Sequence, residues 1–203
     1  MFSADHITAM PKVAAEWPVF CVSGTPKSKS GIGAMHAADT LDEGVGADFR
    51  ATRRRFPATV TVVTASDGVR DHGMTVTAVS SVSMSPPSLM VCLNNRTLLH
   101  EMLLSQANFA VNVLSDAHPS VSDAFSGKVD PGERFATGGW ERDAAGMMIL
   151  PSAHAIVICR RMAAVPHGAH TIFIGQVTRA RGNSQTWPLL YAEASYCTSQ
   201  RSS

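Results

Sequence analysis

The sequence predicts a mainly β fold, an antiparallel β-barrel with short helices. Three observations carry that expectation. Six or seven segments read as strands. The helical stretches between them are short. No G-x-G-x-x-G follows a strand, which argues against a doubly wound nucleotide-binding sheet. The 203 residues fit one domain with an appended arm. We read residues 1–46 as a flexible N-terminal arm and 47–200 as the folded domain.

The elements follow in order. Residues 1–46 are rich in Gly, Ser, Ala and Lys and lack sustained periodicity, as in "SGTPKSKSGIGAMHAADTLDEGVGA". The apolar patch from Trp17 to Val22 is a candidate docking segment. Compact sequence begins soon after Met35, an alternative start. "DFRATRRRF" from Asp48 suits a short helix stopped by Pro57. "TVTVVTA" (59–65) is a β-branched strand, followed by the turn "SDG". "GMTVTAVSSVSM" (73–84) alternates as a strand and ends at Pro86-Pro87, and "SLMVCL" (88–93) returns. "TLLHEMLLSQ" (97–106) puts Leu98, Leu99, Met102 and Leu103 on one helical stripe. "NFAVNVL" (108–114) alternates as a strand. "HPSVSDAFSG" (118–127) reads as a short helix with Ser120 and Asp123 near its start. A loop carrying Arg134, Phe135 and Trp140 precedes two long strands, 154–165 and 170–181. "PLLYAEASY" (188–196) is the expected last strand.

Composition narrows the function. At 45% hydrophobic and 16% charged, the chain can bury a real core. A net charge of +1 gives no large field for nucleic acid or membrane. Arg53, Arg54 and Arg55 read as a solvated helix face. No apolar run reaches the roughly 18 residues of a membrane span. The start lacks a basic segment followed by an apolar one, so no secretory signal is expected. Cys21, Cys92, Cys159 and Cys197 are far apart. Cys92 and Cys159 sit in apolar runs as buried thiols, which suits a reducing cytoplasm.

The common catalytic patterns are missing. There is no G-x-S-x-G, H-E-x-x-H or P-loop, and "GTPKSKSG" fails the P-loop spacing. His167 and His170 form H-x-x-H in a turn with no third ligand nearby, so no metal site is expected.

One stretch stands out. From Gly73 to Asn95 nothing is charged. One face of its first strand carries Thr75, Thr77, Ser81, Ser83 and Ser85; the other is mostly apolar, as a core face should be. A solvated face would ordinarily carry Lys, Glu or Arg. Beyond it, "NNRT" opens a helix with free amides, Arg96 and Thr97. "FSGK" delivers Lys128 after a flexible Gly127. Hydroxyls, amides and a cation suit a phosphorylated, polar-edged ligand. Equally, Thr and Ser are good edge-strand residues, and Asn95 or Thr97 caps a helix. The residues alone leave both readings open.

The ordered set "FRATRRRFPATVTVVTA", "HGMTVTAVSSVSMSPPSLMVCLN", "ANFAVNVLS", "FSGK", "GAHTIFIGQV" and "PLLYAEASY" resembles the flavin reductase family of two-component monooxygenases. The likeness is to the small reductases of 4-hydroxyphenylacetate and phenol hydroxylases and spans roughly residues 48–198. It implies a flavin-binding split β-barrel, antiparallel and Greek-key-like, usually a homodimer with the flavin near the interface. It implies that NADH or NADPH reduces FMN or FAD, which leaves for a separate monooxygenase. Carried over by position, Met74, Thr75, Val76, Thr77 and Ala78 would run beside the isoalloxazine and ribityl chain. Ser80 and Ser81 would bind the ribityl-phosphate part. Asn95, Arg96 and Thr97 would meet the phosphate, with Gly127 and Lys128 closing over it. Phe125 would wall the pocket, or belong to the core. His170 matches the catalytic-site histidine near the nicotinamide, with Tyr191 and Tyr196 on the same side; as a residue it reads equally as a turn histidine.

The last strand departs from the family pattern. After Tyr191 it has Ala192, Glu193 and Ala194 where the family often has an aromatic and basic residues. That strand therefore does not define a preference between NADH and NADPH. Two alternatives accompany the resemblance: a retained flavin that reduces an iron chelate or cobalamin, and a non-enzymatic flavin- or haem-binding module. If Ser80 and Ser81 both reach a ligand, strict alternation fails and the strand must bulge there.

Overall fold

The computed structural model describes residues 43–199. The expected arm lies outside the described residues for all but its last few positions.

Twelve strands and three α-helices are described. Helix α1, Glu43–Arg53, ends in Arg53 with Arg54 and Arg55 beyond it, all exposed. It starts earlier than the sequence suggests and stops before Pro57. The expected strand 59–65 is divided at Val60 into β1 (Ala58–Thr59) and β2 (Thr61–Ser66). Val60 bonds instead to two segments: its N–H donates to Leu189 O and its carbonyl accepts from Leu114 N, both at 2.9 Å.

The expected single strand 73–84 is also two, β3 (Asp71–Val76) and β4 (Val79–Met84). Period 2 runs unbroken through Thr77 and Ala78, so alternation gives no sign of the break. β5 (Pro87–Asn94) pairs with β4 and leads into α2 (Leu98–Ser105). β6 is Asn108–Val113, and α3 (Pro119–Asp123) runs into a π-turn, Ala124–Lys128. Two short strands unseen in the sequence, β7 (Glu141–Arg142) and β8 (Met148–Ile149), pair with each other. β9 (Ala155–His167) and β10 (His170–Gly182) form the long hairpin. The expected last strand is a hairpin of β11 (Leu189–Ala192) and β12 (Ser195–Thr198).

Seven strands form the main antiparallel sheet in the order β3-β2-β6-β9-β10-β5-β4. β3 and β4 stand at its opposite edges, yet only Thr77 and Ala78 separate them in the chain. Flat, the edges would lie roughly 29 Å apart, six spacings of about 4.8 Å. Three Cα–Cα steps reach only about 11 Å. The sheet therefore curls until its edges meet, a barrel split between β3 and β4. A smaller sheet, β1-β11-β12, stands beside it.

Alternation along β2 divides the interior. Val63 and Ala65 join Val91, Leu93, Phe109 and Phe173 in one cluster, closed by Leu99, Met102 and Leu103 of α2. Val62 points the other way, to Leu114, Val121, Phe125 and Leu150. With both faces covered, β2 lacks the polar face of a solvated strand. The α2 stripe is buried except for Leu98, which is 36% exposed. Burial pushes the Cys159 thiol up to about 12. Cys92 is half-buried and Cys197 exposed, while Cys21 lies outside the described residues.

Gly175 is set by packing. A Cβ there would lie 2.5 Å from Phe109 Cζ and 2.8 Å from Cys159 Cβ. The β9–β10 register slips between Ile174 and Gly175, where the bare backbone lets the ring in.

A buried histidine stabilises the start of α3. His118 Nδ1 accepts from Ser115 N at 3.2 Å, which leaves the proton on Nε2, 3.1 Å from Ser152 Oγ. Desolvation holds its pKa below the ordinary 6.5. The unfolded chain therefore takes up the proton first as pH falls, so stability declines below about pH 6.5. Urea melts from pH 7.5 to 5 should show this loss, with a shallower slope in His118→Gln. An equal slope in the variant would assign the pH dependence elsewhere.

Candidate functional site

Below the smaller sheet, the split edge opens on a cavity of about 600 Å³. Three elements line it. From the β3–β4 edge come Thr75 and Thr77. Thr75 Oγ1 donates to Ser122 O at 2.8 Å, which ties the edge to α3. The α3 helix and the π-turn bring Ser122, Asp123, Ser126 and Lys128. Gly127 adopts φ 101°, a left-handed conformation that turns Lys128 back toward Asp123. The third wall is the β11–β12 hairpin, with Tyr191 and Tyr196 as a cross-strand pair, rings edge to face at 5.5 Å. The turn of that hairpin holds Glu193 and Ala194 at φ 49° and 60°, a conformation favouring glycine. Glu193 N donates to Arg54 O at 2.8 Å and fixes the turn to the end of α1.

At the cavity wall, Lys128 Nζ lies 2.9 Å from Asp123 Oδ1. Tyr196 O–H donates to the same oxygen at 2.7 Å, and its oxygen is 2.9 Å from Ser122 Oγ. The hydrogen bond from Lys128, then that from Tyr196, holds the Asp123 carboxyl below the ordinary carboxylate range. Asp123 in turn raises Lys128. Burial, countered by Ser122, pushes the Tyr196 phenol up, so it stays a donor at neutral pH.

Of the residues expected at a site, the cavity gathers Thr75, Thr77, Lys128, Tyr191 and Tyr196, with Gly127 in the turn that delivers Lys128. Ser80 and Ser81 line a second cavity, of about 440 Å³, with Thr59, Thr61 and His154. Val60 faces the first cavity and its two neighbours the second. Both serines are exposed, and the β4–β5 register slips between Ser81 and Ser83. The bulge expected at Ser80–Ser81 is not there: those two pair in regular register with Met90 and Leu89, and the slip falls one residue later, at Val82. Because β4 is an edge strand, its supposed core face is exposed beyond Val76: Val82 is 51% and Met84 84% exposed.

Met74 packs partly and Val76 fully into the barrel core, and Ala78 O accepts from Cys92 N. Phe125, expected as a pocket wall or core residue, is core: it is fully buried against Phe135 and Trp140. His170 is exposed at the tip of the long hairpin, opposite Asn94 on β5. Asn95, Arg96 and Thr97 gather at that same end, where Asn95 N donates to Ala169 O at 3.0 Å. Thr97 caps α2, its Oγ1 accepting from His100 N and donating to Asn94 O. Arg96 is exposed, its N–H held by Asn94 Oδ1. None of these four lines the first cavity. Sequence reasoning did not single out Ser122, Asp123, Ser126 and Ser195 as site residues. The one signal for Asp123 was its place five residues before Lys128, across a glycine.

Residues 53–200 match the model of the flavin reductase like domain. The reductase component of an FADH(2)-dependent resorcinol hydroxylase from Rhizobium sp. (strain MTP-10005) is 62% identical over 157 residues, covering 76% of this chain and 88% of that protein. An FMN reductase (NADH) of Variovorax paradoxus (strain S110) is 33% identical over 150 residues, covering 74% and 83%. Among solved structures, the NADH:FAD oxidoreductase of Streptomyces globisporus C-1027 superposes with a TM-score of 0.74 at 28% identity, covering 82% of this chain and 99% of that one.

Proposed function

The chain belongs to the flavin reductase like domain family, and on that premise we propose that it transfers a hydride from a reduced nicotinamide to FMN or FAD and supplies the reduced flavin to a separate monooxygenase. The observation that carries this reading is the 62% identity, over most of both chains, to the reductase component of a two-component hydroxylase. The residues fit such a ligand. Thr75, Thr77 and Ser126 offer hydroxyls, Lys128 a cation and the two tyrosines aromatic surface, around a space of about 600 Å³.

When bound, the flavin supplies the hydride-accepting ring and the nicotinamide the hydride. The chain's own work is to bind and align. Thr75 is fixed to α3 by its bond to Ser122, so the edge holds its shape beside the ligand. Lys128 meets phosphate charge. Tyr196 is held by its bond to Asp123, so its ring keeps its place in the wall. None of these groups has to act as a strong acid or base, which is why the wall is built of hydroxyls. The resemblance also carries over Met74, Ala78, Ser80, Ser81, Asn95, Arg96 and Thr97 as flavin contacts and His170 on the nicotinamide side; none of them lines the cavity of about 600 Å³. A homodimer that places the flavin near its interface, in the cytoplasm, belongs to the same proposal. Among the described residues, no helix is long and apolar enough to cross a membrane.

Steady-state oxidation of NADH and NADPH, with FMN, FAD and riboflavin in turn, tests the enzyme claim and both preferences. No oxidation with any pair would refute the reading. His170→Ala should raise the nicotinamide KM about tenfold or lower kcat. Unchanged kinetics would remove His170 from the site.

A further inference from the structure

Asp123 is an acid in a cavity that otherwise offers hydroxyls and one cation, and it holds that cation. Lys128 Nζ is 2.9 Å from Asp123 Oδ1, and both line the cavity wall. Resting on the reading of a flavin site, we propose that Asp123 is a release residue: it competes with the flavin's phosphate for Lys128 and keeps the flavin diffusible.

Three observations support the sign of the effect. First, the side chains of Lys128 and Asp123 are 66% and 39% exposed, so their pair is weak and a bound anion can draw Lys128 away. Second, the drawn-off lysine leaves Asp123 behind. Tyr196 keeps the carboxylate in the wall through its 2.7 Å bond, so a negative charge faces any phosphate on Lys128. Third, Gly127 at φ 101° turns the chain so that Lys128 lies beside Asp123 on the cavity wall. A reductase that hands its flavin to another protein needs affinity high enough to reduce the flavin and low enough to release it. An acid beside the phosphate cation provides that limit without altering the ring contacts.

The test is Asp123→Asn, which keeps the acceptor for Tyr196 and Lys128 and removes only the charge. Binding of FMN and of riboflavin is followed by fluorescence quenching, without nicotinamide. The variant should bind FMN about threefold or more tighter, by a slower dissociation rate, while riboflavin affinity stays the same. In a Lys128→Met background the FMN gain should shrink. Unchanged or weaker FMN binding would overturn the proposal, as would an equal gain for riboflavin or an undiminished gain beside Lys128→Met. A change confined to the NADH KM would also overturn it, by assigning the phosphate to the nicotinamide. The two readings fail separately: a wild-type chain that reduces no flavin refutes the flavin site, whereas active reduction with an indifferent Asp123→Asn refutes only the release role.

Discussion

Replacing Phe125 with alanine should cost about 3–5 kcal/mol of stability, the range for truncating a buried aromatic. The ring is fully buried. It packs edge to face on Phe135 at 5.1 Å and is tilted on Trp140 at 5.0 Å; those two rings meet each other at 5.4 Å. Its other side rests on bare backbone, since a Cβ on Gly73 would sit 2.6 Å from Phe125 Cε1. On the Gly73 side there is no side chain to fill the space left behind. Against a total of about 5–15 kcal/mol this is a large fraction. For a domain of this size it lowers Tm by roughly 10 °C. Thermal and urea melts measure it. A loss under about 1 kcal/mol would show that the cluster is not what anchors the π-turn. Phe125→Leu should retain most of the stability, because a branched aliphatic fills part of the volume.

Phe125 also shows what the sequence can reveal and what it hides. Its apolar identity in a short helix allowed both a core and a wall reading. Only the placement of Gly73 and the Phe135–Trp140 loop decides between them. The long hairpin was legible because its strands are long, β-branched and separated by a short turn with Gly168 at φ 55°. The β11–β12 turn was not, because Glu193 and Ala194 carry none of the Asn-Gly or Asp-Gly chemistry that marks such turns. The break at Thr77–Ala78 was invisible for another reason. It is made by closure of the sheet, a long-range constraint, while the local alternation continues. The hydroxyls of the uncharged stretch from Gly73 to Asn95 do not share one surface. Thr75 and Thr77 face one cavity, and Ser80 and Ser81 another.

For the site, "FSGK" offered Lys128 as a cation, and the family resemblance supplied the tyrosines by position. Asp123 stayed hidden because an acid beside Ser120 at the head of a short helix reads as part of a cap. In the structure α3 has no side-chain cap bond, and Asp123 instead accepts from Tyr196, far away in sequence on β12. Cross-element pairs of this kind leave no local signature. The carboxylate joins two walls of the cavity, and a single sequence shows only one of them.

Lys128→Met should weaken FMN binding about tenfold and leave riboflavin binding nearly unchanged. A hydrogen bond to a charged group is worth roughly 1.5–3 kcal/mol, and partial exposure places this one at the lower end. Riboflavin shares the ring and the ribityl chain but has no phosphate, so it separates charge recognition from ring stacking. Methionine keeps most of the aliphatic stem, so packing along the wall is conserved. Salt dependence gives a second measurement. FMN affinity should fall with ionic strength in the wild type and much less in the variant, because screening acts on the charge that has been removed. The fold is not at risk, since Lys128 is a surface side chain whose partner, Asp123, keeps its bond from Tyr196. If both flavins lose affinity equally, Lys128 shapes the cavity rather than meeting the phosphate. If neither loses affinity, the phosphate sits elsewhere, with Arg96 at the head of α2 as the cation left to test.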